Sequence, residues 1–337
     1  MRTVTVIALF LLFTGFPAAT SLGAASEDSI RSAIRKSIPL LEAGARGSMK
    51  KRARCFTCHN QAYPVIALTT ARNRGFKIDE AHLKQQVKFT ADFLTKGREK
   101  YLKGRGQGGQ VETAGWALRT LEHGDWEPDA TTAAVAHYLL VYQAKLHPHW
   151  KPPSNRPPST KSHFTSTHGA LRGLQQFGVA KESAEIKIRL SMVREWLFET
   201  PAMDTQDRVS RLRALHLLGE ADEAGRTAKE LLKTQRKDGG WSQLPNMKSD
   251  AYATGTALSA LHQAAGLAVT NSAYQRGIQF LLESQLKDGS WFVESRSKPF
   301  QSYYESGYPH GTNQFISISA GSWATTALAL ALPESTK

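Results

Sequence analysis

The chain has 337 residues and a formal charge of +14, from 43 Lys and Arg against 29 Asp and Glu. That length supports one large domain or two small ones. Two cysteines exclude a disulfide scaffold, and no stretch beyond the first 25 residues approaches the ~20 apolar residues of a membrane span. A basic balance alone would suggest nucleic acid, but no binding motif accompanies it.

Residues 1–25 read as a secretory signal. Arg2 supplies the positive start and Val6 to Phe13 the apolar core. Small residues follow, with Gly23-Ala24-Ala25 or the stretch Ala18 to Thr20 as cleavage site. That core is too short to span a bilayer, so no anchor is expected and the chain is placed outside the cytoplasm, secreted or periplasmic. The basic surface, with a cluster at Lys50, Lys51, Arg52 and Arg54, is either plain solvated charge or a face for an acidic redox partner, an anionic polymer or a membrane surface. Export argues further against nucleic acid.

Next comes Cys55-Phe-Thr-Cys58-His59, which holds both cysteines of the chain. Cys-x-x-Cys-His is the c-type haem attachment pattern. Each thiol can add to a haem vinyl group, and the adjacent imidazole can reach the iron. Haem is joined to such proteins outside the cytoplasm, so the motif and the leader agree. The expectation is one covalent haem c held by Cys55, Cys58 and His59, with His59 as iron ligand. A chance match and a Cys55–Cys58 disulfide are the alternatives. A thioredoxin-like pair lacks a surrounding βαβ pattern.

From here the chain repeats. Leu118-Arg-Thr-Leu-Glu-His-Gly124, Leu171-Arg-Gly-Leu-Gln-Gln-Phe-Gly178, Leu212-Arg-Ala-Leu-His-Leu-Leu-Gly219 and Leu258-Ser-Ala-Leu-His-Gln-Ala-Ala-Gly266 share one pattern, with weaker copies at Leu68 to Gly75 and Leu328 to Leu332. The six copies stand 50, 53, 41, 46 and 70 residues apart. Each closes an Ala- and Leu-rich helical stretch, mostly with a glycine as cap. Amphipathic helices are predicted between them, near 28–45, 80–97, 128–145, 182–198, 221–236 and 271–285. Val193, Trp196 and Leu197 carry the i, i+3, i+4 spacing of a buried face, as do Ala228, Leu231 and Leu232. This set bears the charge. The other set is small and apolar, as in Ala251, Ala253, Gly255, Ala257 and Ala260, which suits close packing in an inner ring. The reading is all-α: a single (α/α)6 toroid over 26–337, twelve helices in six hairpins.

Such a ring has two ends. The links leaving the inner helices are short, roughly 3–5 residues, and make a closed bottom. The connections entering them, 46–59, 98–109, 146–164, 199–205, 237–248 and 286–315, make a mouth. Cys55–His59 lies on the first of these, and ring closure brings the last one to it. The rim inserts near 146–164 and 286–315 are long enough to carry a function or to be disordered.

Gln235-Arg-Lys-Asp-Gly-Gly-Trp241 and Gln285-Leu-Lys-Asp-Gly-Ser-Trp291 repeat Gln-x-x-x-Gly-x-Trp 50 residues apart. Glutamine would tie down backbone at the helix end, glycine would make the turn, and tryptophan would pack between repeats. This resembles the repeat motif of the squalene and hopene cyclases and their prenyltransferase relatives, whose domains are α/α toroids. Weaker copies extend the likeness over about residues 28–333. With Cys-x-x-Cys-His near its start, the chain most resembles bacterial secreted proteins built on a prenyltransferase/squalene-oxidase-type repeat. The resemblance implies the fold and the haem, and no activity. The Asp-x-Asp-Asp cluster of the proton-initiated cyclases is absent. The prenyltransferase zinc site needs a cysteine, and both cysteines belong to the haem motif.

The candidate catalytic acids are Asp250, at the start of inner helix five, and Glu112, placed similarly on inner helix two. The simpler reading of Asp250 is a first-turn acid favoured by the helix dipole, with Ser249 as the cap. If haem is held, its sixth ligand sets the chemistry. His310 is the first candidate as metal ligand, then His168 and His163, then His147 and His149. Met49 and Met247 are lesser ones, and His123, His216 and His262 lie toward the closed bottom. For each histidine a surface or hydrogen-bonded role is the alternative. Tyr252, Trp241, Trp291, Tyr303, Tyr304, Tyr308 and Phe315 are candidates to line the mouth, with repeat packing the alternative for the tryptophans.

Three functions are compatible with this. One is an exported monohaem toroid in electron transfer or haem-assisted oxidation, meeting a redox partner protein or a small apolar or quinone-like ligand. The second is a cyclase-like or lyase-like enzyme using mouth carboxylates on a lipid or polysaccharide. The third is a binding or scaffold module with a Cys55–Cys58 disulfide.

Overall fold

The computed structural model describes residues 25–299 and 302–335. The secretory-signal reading falls on 1–25 and so lies almost entirely outside the described residues. Helices account for the architecture, and the described residues contain no strand, only the isolated bridges Arg156–Thr160 and Ser242–Ser249.

The outer helices are α1 (Glu27–Lys51), α3 (Glu80–Thr95), α6 (Ala130–Val141), α8 (Ser183–Glu199), α10 (Ala221–Lys233) and α12 (Ser272–Ser284). The inner helices are α2 (Tyr63–Arg72), α5 (Gln110–His123), α7 (His163–Phe177), α9 (Thr205–Leu217), α11 (Ala251–Ala265) and α13 (Gln314–Leu330). A short α4 (Arg98–Leu102) sits in the second rim connection. Each inner helix packs on the next, and α13 packs on both α11 and α2, which closes the ring. The toroid reading of the sequence is therefore correct. Two outer helices differ in extent: α1 runs on to Lys51, and α6 stops at Val141 rather than near 145.

The sequence explains the two rings. In α10 the buried residues are Ala224, Thr227, Ala228 and Leu231, one stripe at i, i+3, i+4, i+7. In α12 Tyr274, Gly277, Ile278 and Leu281 repeat the same register. Inner helices are buried nearly all round, so they need small residues where they cross. A β-carbon on Gly255 would lie 2.6 Å from the backbone of Trp323. The bare glycine lets α11 and α13 approach to van der Waals distance of their backbones.

The Gln-x-x-x-Gly-x-Trp segments act as ties. Gln235 Nε2 donates to the carbonyls of Gly239 (2.8 Å) and Ala273 (2.7 Å). Gln285 Nε2 donates to those of Gly289 (3.0 Å) and Ala33 (2.9 Å). Each glutamine thus holds its own turn and the start of the next outer helix. For the last repeat that next helix is α1, so Gln285 closes the outer ring. The tryptophans are buried, and their indole N–H groups add a tie: Trp241 Nε1 and Trp291 Nε1 donate back to the carbonyls of Leu231 and Leu281 of the preceding outer helices, at 2.9 and 2.8 Å. Trp150 does the same to Leu139 at 2.9 Å, a third copy of the device without the sequence signature.

The bottom links, 73–79, 124–129, 178–182, 218–220 and 266–271, are in part longer than expected. At the mouth, the two long inserts meet: Ser297 Oγ donates to the Pro157 carbonyl at 2.9 Å. Arg296 Nε reaches Gln243 Oε1 at 2.8 Å, which joins a third rim loop to them.

Candidate functional site at the mouth

Cys55-Phe-Thr-Cys58-His59 lies where the first rim connection turns into α2. Thr57 is extended, and Cys58–Ala62 forms a single π-helical turn that runs into the helix. Gln61 Oε1 accepts the Thr57 N–H and hydroxyl and pins this turn. Cys55 is exposed, Cys58 is partly buried, and the two sulfurs are not bonded to each other. Burial, with the Glu112 carboxyl adding to it, pushes the Cys58 thiol up to about 12. Burial drives His59 down to about 3, with Arg156 and Arg52 adding to the effect, so its ring is neutral. His59 Nε2 is buried and has no hydrogen-bond partner among the described residues.

The last repeat supplies the neighbours. The Phe315 ring lies 5.1 Å from that of His59, nearly edge-on, and Tyr304 lies 5.2 Å from Phe315. His310, the first candidate for a second iron ligand, turns to other partners. Its Nε2 bonds Ser290 Oγ at 2.8 Å and its ring lies edge-on to Phe292. His168 is not at the rim. It is buried on α7 among Arg119, Arg213 and Arg172, and burial holds it well below the usual range. His163 and His149 pair with each other, Nδ1 to Nε2 at 2.9 Å, and His149 stacks on Trp196 at 4.2 Å. That cluster faces an outer helix.

The two acids stand on opposite sides of the inner ring, Glu112 on α5 and Asp250 capping α11. Glu112, in the first turn of α5, is buried, and the Ser166 hydroxyl of α7 donates to it. Desolvation raises its carboxyl to about 7 against the opposing pulls of Ser166, Trp116 and Arg156. Asp250 is raised to about 6, again chiefly by desolvation. Asp250, not Ser249, is the cap of α11: its Oδ1 accepts Ala253 N–H at 2.9 Å and its Oδ2 accepts Gln243 Nε2 at 3.0 Å. Ser249 Oγ bonds Asp238 instead, at 2.9 Å.

Residues absent from the sequence reading complete the mouth. Ser159, on the proline-rich insert, lies near the hydroxyls of both Tyr63 and Tyr252. Tyr252 Oη donates to Gln206 Oε1 at 2.9 Å, and Gln206 Nε2 continues to Thr165 Oγ1 at 2.8 Å. Tyr63 stands edge-on to Trp116 at 4.7 Å. Arg156 is close enough to act electrostatically on Cys58, His59 and Glu112. Of the aromatic candidates, Tyr252, Tyr304 and Phe315 belong to this region, Trp241 and Trp291 are buried ties, and Tyr308 is buried beneath the rim. Tyr303 is largely exposed. No periodicity marks Ser159 or Arg156, since a loop's path over a mouth has no sequence period.

By sequence the chain matches no protein-family model and no curated protein. By structure it is similar to the type II terpene cyclase MstE from Scytonema, with 15% identity, a TM-score of 0.54, and coverage of 91% of this chain and 99% of that one. It is similar also to an unsaturated glucuronyl hydrolase from Bacillus sp. GL1, with 12% identity, a TM-score of 0.52, and coverage of 88% and 96%. The chain is an α/α toroid. At these identities the likeness carries the fold and no further. Two enzymes of unlike chemistry share this ring, so the fold by itself names no activity. No helix among the described residues is long and apolar enough to cross a membrane.

The donor set of the first rim turn suits haem attachment. The two thiols are unbonded, Cys55 exposed and Cys58 partly buried, and the imidazole that follows is neutral, with a buried Nε2 that has no partner among the described residues. A second axial ligand is not offered in the same way, because His310 is engaged by Ser290 and His168 lies among the arginines.

Proposed function

We propose that the mouth is the active site of an acid–base enzyme in which Glu112 is the proton donor. One observation carries this reading: a buried carboxyl with an ionisation point near 7, oriented by Ser166 at the mouth end of an inner helix. Such a group is half-protonated at neutral pH, where a general acid is most effective. Its acidity also limits the reaction. Protonating an isolated double bond, as a cyclase must at the outset, calls for a much stronger acid. Protonating a departing oxygen does not. We therefore favour hydrolysis or elimination at a C–O bond of a polysaccharide-type substrate over cyclisation of a lipid. The proton passes from Glu112 to the departing oxygen. Asp250, ionised above about 6, orients the attacking water or takes the proton lost in elimination. Tyr63, Trp116 and Tyr252 are buried beside the mouth and give it an aromatic wall.

The test is turnover of a panel of uronic-acid oligosaccharides and aryl glycosides by wild type and Glu112→Gln. The expected result is cleavage by wild type that falls at least a hundredfold in the variant. Equal turnover in the two would sink the assignment.

A second reading rests on the unpartnered Nε2 of His59. Cys55 and Cys58 would hold a haem c and His59 would ligate its iron, supplying one-electron or oxidative chemistry at the same mouth when bound. Mass and absorption spectra of protein exported from cells with the attachment machinery test it. A colourless protein of unmodified mass overturns it. The haem and the acid share one rim, so Cys55→Ser separates the readings by leaving glycan turnover intact.

A further inference from the structure

Below the mouth, the ring encloses more cationic groups than acids. Arg119 of α5 and Arg213 of α9 are buried, 6% and 8% exposed. Between these helices stands α7, whose His168 is 3% exposed and whose Arg172 is close enough to act on both arginines. Trp323 of α13 reaches them from across the ring: its indole lies 4.5 Å from the Arg213 guanidinium and 5.6 Å from that of Arg119. Trp116 covers Arg119 from the other side at 5.3 Å. The guanidinium groups therefore face the axis of the toroid, where helices two, four and six of the inner ring converge.

The acid near this cluster is Glu122, and both its oxygens are taken by Arg172, at 2.5 and 2.8 Å. Arg119 Nε and Nη1 and Arg213 Nη2 are buried with no acceptor among the described residues. Ring faces stabilise a cation, by roughly 1–2 kcal/mol when desolvated, but they provide no oxygen for in-plane N–H groups. An unpaired buried charge costs several times that. Burial pushes Arg119 well below the usual arginine range and lowers Arg213 to about 10, yet a guanidinium keeps its proton at neutral pH. Two buried charges and three idle donors at one point on the axis ask for an anion.

We infer that Arg119 and Arg213, with His168 beside them, form an anion-binding subsite that takes the carboxylate or phosphate group of a small molecule lying along the ring axis. Its place relative to the mouth defines the ligand further. Glu112 and Arg119 are seven residues apart on α5, about 10 Å along the helix. Tyr63 is within electrostatic reach of Glu112 and of both arginines. A ligand one to two sugar rings long spans that interval. The subsite stands whether or not Glu112 donates a proton.

Binding, not turnover, tests it. Thermal melting and tryptophan fluorescence of the full chain are recorded with inorganic phosphate and, separately, with glucuronate, each against chloride at equal ionic strength. Wild type is expected to gain a few degrees in Tm and to change its indole emission, because Trp323 touches both guanidinium groups. Arg119→Met/Arg213→Met keeps the packed stems and removes the charge. It is expected to show neither response. A response to phosphate alone identifies a phosphorylated ligand, and one to glucuronate alone a carboxylate. If the double variant does not fold, Arg213→Met decides by the same comparison, with affinity expected to fall at least tenfold. No response to either anion in wild type, or an undiminished one in the variants, overturns the inference.

Discussion

Ser166 of α7 donates its hydroxyl hydrogen to Glu112 of α5, so the buried acid of the mouth is oriented by the neighbouring inner helix. The contact lies beside a backbone crossing made by two glycines, where a β-carbon on Gly115 would lie 3.1 Å from the backbone of Gly169. The acid thus depends on the closeness of two inner helices as well as on its own position in the chain.

Glu112→Gln keeps the shape and the bond to Ser166 but removes the titration. The folded pKa of about 7 lies above the ordinary 4.5, so the native state holds a proton that the unfolded chain releases between these values. That stabilisation is fully present below pH 4.5 and is lost as pH rises through 7. The variant should therefore gain on wild type by roughly 3 kcal/mol between pH 5 and pH 8 in urea unfolding. A difference that stays constant over this range would show that the carboxyl is not desolvated.

Histidines act in the opposite sense. Burial holds His149 at about 4, with His163, His147, Lys151 and Arg189 adding positive potential. Its folded value lies below the unfolded 6.5, so its contribution is present above 6.5 and is lost as pH falls toward 4. His149→Phe should keep the stack on Trp196 and flatten the acid limb of stability, by up to about 3 kcal/mol. Parallel limbs in pH-dependent unfolding would refute this.

Two glycines should respond oppositely to alanine. Gly255→Ala drives a methyl into the backbone of Trp323 and should cost about 3 kcal/mol or more. At Gly225, in outer helix α10, an added β-carbon would meet nothing within 4 Å, so Gly225→Ala should stabilise by about 0.5–1 kcal/mol. Denaturant midpoints of the two variants settle the matter.

Gln285→Ala removes the bonds to Gly289 and Ala33 that fasten the last repeat to α1. A loss of about 2 kcal/mol is expected, together with faster hydrogen exchange in α1 and α12. Gln235→Ala should cost a similar amount while leaving α1 protected. Unchanged exchange in α1 for the Gln285 variant would contradict the seam.

The two thiols should differ in a haem-free preparation. Exposed Cys55 should react readily with a thiol reagent at pH 8. Cys58, pushed up to about 12, should react on the order of a thousandfold more slowly. Equal rates would mean that the first rim turn is open. Protein carrying covalent haem should label at neither.

The helical pattern, the repeats and the Gln-x-x-x-Gly-x-Trp ties were legible in the chain because each is local. A stripe at i, i+3, i+4 names a buried face, and a glycine at a fixed offset names a turn. The capping role of Asp250 lay one residue from where the pattern put it, since Ser249 and Asp250 both favour that position. The third tie, Trp150, had no glycine signature to betray it. Loop proximity points His310 toward the motif, but proximity of loops does not set side-chain direction, and the ring bonds Ser290 instead.

The order of the twelve helices along the chain dictated a closed double ring, because each hairpin leaves an apolar face that only a neighbour can cover. The chemistry of its interior was decided in three dimensions. Burial turned Glu112 into an acid poised near neutrality, a loop laid Ser159 across two tyrosines, and inner helices two and four brought Arg119 and Arg213 to one indole. Desolvation and charge proximity depend on what surrounds a group in space, and that is not written in its sequence neighbours.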